Sequence, residues 1–256
     1  MGEDGETVAQ PVVDRRDDQR GTRASRRRAR VREQLLDAAE KAFAVSGYRD
    51  VRMEDLADAV DVSVGSIYGH FGSKDGLYLA LGERAAEQFG EYLELAYRPE
   101  FSPLEQAMAC GDAYLRFHLE HPGLFRFLNA ADSDVRQADV EQRQRVGARV
   151  AEILDKFRDQ IASAISAGEA DSDYDAESVA LFLWGAWNGV VSLGLRGDQT
   201  ALTEEQIAAA LRTGRRIVNE GLTAPGHRGP DGRTRARLVD TAPDSRPEPA
   251  RAHPEP

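Results

Sequence analysis

The chain has a single cysteine, Cys110, among its 256 residues. One thiol excludes an internal disulfide and any cysteine-built zinc cluster. There is no run of about 18 apolar residues, so no membrane-spanning helix is expected. No apolar segment of the secretory kind follows the N-terminus. These absences point to a cytoplasmic protein without a membrane partner. Catalytic signatures are missing too. There is no glycine-rich phosphate loop, no nucleophile motif and no convincing acid/base constellation, so neither an enzyme nor a cofactor is expected. His118 and His121 have a spacing that can bring two metal ligands onto one helix face. His121 precedes Pro122, however, and no third ligand is visible, so no metal site is expected.

Positive charge is also scarce, with a formal net charge of −11. The deficit is uneven. Residues 20–84 carry twelve Lys/Arg and ten Asp/Glu, whereas residues 1–19 have a net charge of −4 and residues 85–256 of −9. From Arg20 to Arg32 there are seven arginines and no acid. A polyanion would be attracted to this part and repelled by the rest. The plainer reading of such a run is a solvated tail.

Convincing strands and internal repeats are lacking, which leaves an all-α fold of about nine helices. Residues 1–24 are polar and without periodicity, so a disordered basic arm is expected there. The first helix is expected over about Arg26 to Ser46, with Val31, Leu35, Ala39 and Phe43 on one stripe and Gly47 as its C-terminal cap. A helix opened by Ser73 carries Leu77, Leu81, Ala85 and Phe89 along one face. Ser102, Pro103 and Glu105 form a capping box with proline in the first turn. Further helices are expected at about 103–120, over PGLFRFLNA, and at about 141–167, 175–195 and 203–219. After Pro225 the chain is rich in Pro, Arg and Asp. The expected organisation is therefore a head at 25–72, a helical body at 73–222 and a disordered tail at 223–256.

What is present most clearly is the stretch 53–78, MEDLADAVDVSVGSIYGHFGSKDGLY. Two short helices meet at a tight turn at Asp61-Val62, the second running from about Ser63 to His70. That arrangement pushes a helix end into the DNA major groove. Leu56, Ala57 and Val60 supply its apolar contacts, and Asp61 tolerates the left-handed conformation better than most residues. Ser63 caps the second helix.

The spelling SxGSIYxHFxSKDxLY resembles the N-terminal domain of the TetR family of bacterial transcriptional regulators. The resemblance is close for 26–84 and only architectural for 100–222. It implies a three-helix head that binds a double-stranded DNA operator and a body that binds a small effector. By the same resemblance Val64, Gly65 and Ser66 face base edges, while Tyr68, His70 and Lys74 match positions associated with the DNA backbone. His70 is as readily a locally packed residue. Gly69 departs from the bulkier residue of many relatives. Val51 stands where a capping threonine is usual, so that cap is weaker or shifted to Asp50. Arg52 is a further candidate for a phosphate or base contact.

In the body, Met108, Tyr114, Phe117 and His118, then Phe125, and then Trp184, Trp187 and Asn188 fall at helical spacings. Singly each suits a core. Together they suit a mostly apolar pocket with a few polar groups. Helices eight and nine carry two apolar stripes, Val179, Leu183, Ala186, Val190, Gly194 and Ile207, Leu211, Gly214, Val218, Gly221, expected as a homodimer seam. The expected function is a homodimeric repressor released from a palindromic operator by an apolar or amphipathic ligand. The alternative is a DNA-docking protein that ignores ligands and recruits a protein partner through its body.

Overall fold

The structure is a computed structural model that describes residues 15–129, 140–196 and 198–241. Its described residues form nine α-helices and no named strand: α1 Arg15–Asp50, α2 Met53–Val60, α3 Val64–Phe71, α4 Lys74–Glu94, α5 Pro103–Glu120, α6 Pro122–Asn129, α7 Val140–Ser166, α8 Ala176–Gly194 and α9 Glu204–Leu222. A 3₁₀ turn, Pro225–His227, follows. No helix among the described residues is long and apolar enough to cross a membrane.

The head is built by local signals. Leu35, Leu36, Ala39 and Phe43 of α1 are buried against Leu56 and Ala57 of α2, Ile67 of α3 and Leu77 of α4. Gly47 interrupts α1 with φ +74° and ψ 170°, a conformation that other residues rarely adopt, so the regular helix ends where the sequence places its cap. Ser63 accepts a hydrogen bond from the Ser66 N–H, and Ser73 accepts one from Gly76. A Cβ at Gly76 would collide with the Phe71 carbonyl, so the α3–α4 turn needs glycine there.

α4 passes from head to body. Its 21 residues span about 31 Å at 1.5 Å per residue. Leu77 and Leu81 pack in the head, while Phe89 and Leu93 lie in the body. The joint is aromatic: Tyr78 lies edge-on to Phe43 and Phe127, at 5.4 and 4.9 Å between ring centroids. In the body, α5 takes the capping box read from Ser102 and Glu105. Thr203 and Gln206 form the same box at α9.

Two boundaries differ from the sequence expectation. α1 begins at Arg15, inside the stretch expected to be a disordered arm. Arg and Ala favour a helix even where no apolar face repeats. Residues 1–14 lie outside the described part. The tail expected from 223 is folded as far as Thr241. Ala170 pairs with Thr223, and Arg228 with Thr234. The segment 228–241 then lies as a strap along α5 and α9, with Val239 and Thr241 buried. Its Arg237 donates to both oxygens of Glu105, at 2.7 and 3.0 Å. The Thr241 N–H and hydroxyl donate to Asp112 Oδ2, at 2.7 and 2.9 Å. Composition hid the strap because charged and polar side chains anchor it. Residues 242–256 lie outside the described part.

The apolar stripes of α8 and α9 also divide differently. Leu183, Ile207 and Leu211 are buried within the subunit, and Gly214 faces the Trp187 ring. The outward apolar face is instead Leu181, Phe182 (69% exposed) and Ile217 (66% exposed), with Gly185, Gly189 and Gly221 in open space. The stripe at 179–194 shares a face with the core because α8 is apolar nearly all round, so periodicity alone did not choose the side.

Candidate nucleic-acid interface and body cavity

The α2–α3 turn is made by Asp61 in the left-handed region, φ 55° and ψ 52°. It is the only non-glycine described residue with positive φ. Ile67 anchors α3 to the core at full burial, which turns the opposite side outward. Ser63, Gly65, Tyr68 and Gly69 are exposed there, and Val64, Ser66 and His70 are half-buried. A Cβ at Gly65 or Gly69 would meet nothing closer than 3.8 Å. Packing within the subunit therefore does not require either glycine, and the bare backbone leaves room for close approach from outside.

Cations surround this end. Arg28 Nη2 donates to the Gly69 carbonyl at 3.1 Å, and the Arg32 guanidinium lies over the Phe71 ring at 5.5 Å. Partial burial, with Arg28 and Arg32 close by, holds the His70 pKa below its ordinary value of 6.5. Neutral His70 therefore adds no charge at pH 7. Arg52 is exposed beside Glu54, at 3.7 Å. It is the N-cap residue of α2 and makes no side-chain cap bond, in keeping with the weaker cap expected there.

Lys74 is placed differently from the expectation. Its ammonium donates to the Val51 and Arg49 carbonyls at 2.6 and 3.3 Å and lies 4.8 Å from the Tyr48 ring centroid. It holds the α1–α2 junction, and desolvation lowers its pKa. One N–H remains for a further acceptor. Arg28 and Arg32 were visible only as members of a basic run. Their place beside α3 depends on how α1 crosses it, which no local pattern gives.

The body holds a partly open cavity of about 50 Å³. Its lining comes from α4 (Phe89, Leu93), α5 (including Met108, Cys110 and Tyr114), α7 (including Ile153 and Phe157), α8 (including Trp184 and Trp187) and α9 (Arg215, Val218). Of the candidates named from sequence, Met108, Tyr114, Trp184 and Trp187 line it. Phe117 does not. It is fully buried in an aromatic cluster with Phe89 and Tyr92. His118 is buried outside the lining, and Asn188 stands behind Tyr114, accepting its hydroxyl proton at 2.9 Å. The side chain of Phe125 lies outside the described part. The α4 wall was visible in the helix stripe that ends at Phe89, but only folding brings it and α7 to the tryptophans.

The lining is mostly apolar. Its one charged residue is Arg215, 5% exposed. Burial pushes the Cys110 thiol up to about 12, so it stays protonated. A volume of about 50 Å³ holds one or two waters, whereas drug-sized ligands occupy about 300–1,000 Å³. A ligand of that size must part these walls to fit.

Comparison with known proteins matches both halves of this architecture. A model of bacterial regulatory proteins of the tetR family matches residues 35–81, and one of tetracyclin repressor-like C-terminal domains matches residues 107–218. The chain is 32% identical over 115 residues to the HTH-type transcriptional activator FasR of Mycolicibacterium smegmatis, covering 43% of this chain and 52% of the activator. It is 37% identical over 60 residues to the HTH-type transcriptional repressor AcnR of Corynebacterium glutamicum, covering 23% of this chain and 32% of the repressor. The matched part thus spans about half the length of the first and about a third of the second. The fold is similar to that of the transcriptional regulator FadR from Bacillus subtilis in complex with stearoyl-CoA, with 19% identity, a TM-score of 0.61 and coverage of 74% of this chain and 98% of that one.

Proposed function

We propose, for a chain that belongs to the tetR family of bacterial regulatory proteins and is a DNA-binding transcriptional regulator, that it acts as a homodimeric repressor released from DNA by a small ligand. The observation that carries this reading is the course of α4. Its N-terminus packs against the helix-turn-helix, and its Phe89 and Leu93 form part of the cavity wall. A ligand that parts the walls moves the same rigid element that positions α3. It releases DNA only if it binds the DNA-free geometry more tightly, and the coupling is reciprocal.

On DNA, Val64, Gly65 and Ser66 meet base edges, with the Val64 methyls suited to a thymine methyl. Tyr68, Arg28, Arg32 and the remaining Lys74 N–H meet phosphate. Two copies join through Phe182, Ile217 and the open glycines of α8 and α9. They then present two α3 helices about 34–36 Å apart, or a multiple of that, to a palindromic operator. FadR from Bacillus subtilis, with stearoyl-CoA bound, supports an apolar or amphipathic effector class.

The test combines footprinting on genomic fragments enriched by the protein with sedimentation of the free and bound protein. Two-fold symmetric footprints and a dimer are expected. A monomer that protects one half-site overturns the dimeric reading. A dimer whose operator affinity no small molecule changes favours the docking alternative.

A further inference from the structure

The charge balance around the cavity narrows what enters it. Arg215 lines the cavity through its aliphatic stem, but every nitrogen of its guanidinium is already engaged elsewhere. Nε donates to the Met108 carbonyl at 3.2 Å, and Nη1 to Asp112 Oδ1 and Asp240 Oδ1, both at 3.1 Å. Nη2 donates to the Val239 carbonyl at 2.7 Å. Its guanidinium is already paired with carboxylates and carbonyls, so an anion arriving in the cavity finds no free cation on Arg215.

The remaining polar groups of the lining are neutral. The Tyr114 hydroxyl donates to Asn188, and burial keeps the Cys110 thiol protonated. The exception is Trp187. Its indole N–H is buried without an acceptor, the only cavity-lining group among the described residues in that condition. An unmade hydrogen bond at a buried donor is costly, and an acceptor that reaches the N–H as the walls part would complete it.

We propose that the cavity takes an uncharged, largely apolar molecule bearing one hydrogen-bond acceptor, which accepts from the Trp187 indole N–H, and that the strap enforces this preference by neutralising Arg215. The proposal rests on the effector reading of the cavity. Burying a charge without a partner is far more costly than burying a paired polar group, so both carboxylates and ammonium groups are rejected. The strap contributes two of the groups that hold Arg215, the Val239 carbonyl and Asp240. A part of the chain outside the cavity wall thus decides its ligand class.

The chain has two tryptophans, and both line this cavity, so intrinsic tryptophan emission of the full-length protein reports on it alone. Titrations with 2-octanone, octanoate and octylammonium compare a neutral acceptor with an anion and a cation of the same chain length. Saturable emission changes are expected for 2-octanone, with octanoate and octylammonium weaker by about tenfold or more. Trp187→Phe, read through Trp184, should weaken 2-octanone about fivefold relative to ethylbenzene, which has no acceptor for the lost N–H. If octanoate binds as tightly as 2-octanone, the neutral class is wrong while the cavity remains a ligand site. If none of the probes alters the emission, the cavity is a core defect, and the effector reading falls with the proposal. Equal losses for 2-octanone and ethylbenzene in Trp187→Phe remove the indole N–H from recognition.

Discussion

The head keeps its charge outside and the body buries some of its own. In the head, Arg28, Arg32 and Arg52 are at the surface, and the interior is Leu, Ile, Phe and Ala. In the body, Arg215, Asp112 and Glu105 are all buried, and the strap completes their bonding. The difference fits what the proposed function asks of each part. A DNA-reading surface needs free cations and donors, because phosphates supply the partners. A cavity for an apolar ligand needs its nearby charges cancelled, because buried uncompensated charge costs more than the ligand contact returns.

The largest effect should come from breaking the buried pair. Arg215→Ala leaves Asp112 buried with only the Thr241 donors and exposes the Val239 carbonyl. A loss of about 3–5 kcal/mol is expected in chemical denaturation. A change below about 1 kcal/mol would mean that the pair adds nothing and that the contrast with the head is only apparent.

A smaller loss, about 1–3 kcal/mol, is expected for Arg237→Ala, which removes two hydrogen bonds from buried Glu105. The same contact sets the acid limit of the body. Burial raises the Glu105 pKa, but the Arg237 guanidinium and backbone N–H groups lower it more, so the net shift is downward from 4.5. Its contribution is therefore complete above about pH 4.5 and is lost as pH falls through the depressed folded value. In the head, His70 is a base whose pKa burial depresses from 6.5. Its contribution is also complete at high pH but is lost earlier, as pH falls below about 6.5. Melting temperatures across pH 2–8 should show a small loss below about pH 6.5 that His70→Gln removes, and a further loss below about pH 4.5 that Arg237→Ala weakens. A single step that neither variant changes would assign the pH dependence to other groups.

How much was legible before folding follows the same division. The head was written locally: Ser63 and Ser73 cap three residues ahead, Gly47 ends α1, and Asp61 takes the turn. About nine helices followed from such signals and from apolar stripes, and the family from the resemblance carried by the spelling of residues 63–78. The strap was not legible, because Glu105 and Arg237 are 132 residues apart and Asp112 and Thr241 are 129 apart. Nor was the side of α8 that faces out, because leucine, phenylalanine and tryptophan lie all round it. The cavity lay between these cases. Its tryptophans and Met108 could be guessed as a group, but Phe117, chosen by the same spacing, is core. Phe117→Ala should therefore destabilise the whole protein, whereas Trp184→Ala is the variant that reports on ligand response.

The smallest effect is also the sharpest test of the head. Gly65 and Gly69 lie inside α3, where alanine is better than glycine by roughly 0.5–1 kcal/mol. Neither position has a neighbour that a methyl group would strike. Gly65→Ala should therefore raise the stability of the free protein slightly while lowering operator affinity, because the new methyl stands on the surface proposed to approach the base edges. Lys74→Ala should behave in the opposite way towards stability. It should lower the melting temperature by a few degrees through the lost Val51 and Arg49 contacts, and flatten the salt dependence of DNA binding by about one unit if its remaining N–H meets a phosphate. Band shifts at several salt concentrations, beside thermal melts, separate the two. If Gly65→Ala stabilises the protein and leaves operator affinity unchanged, the N-terminus of α3 does not approach the bases, and the reading surface must be sought among Arg28, Arg32 and Arg52 instead.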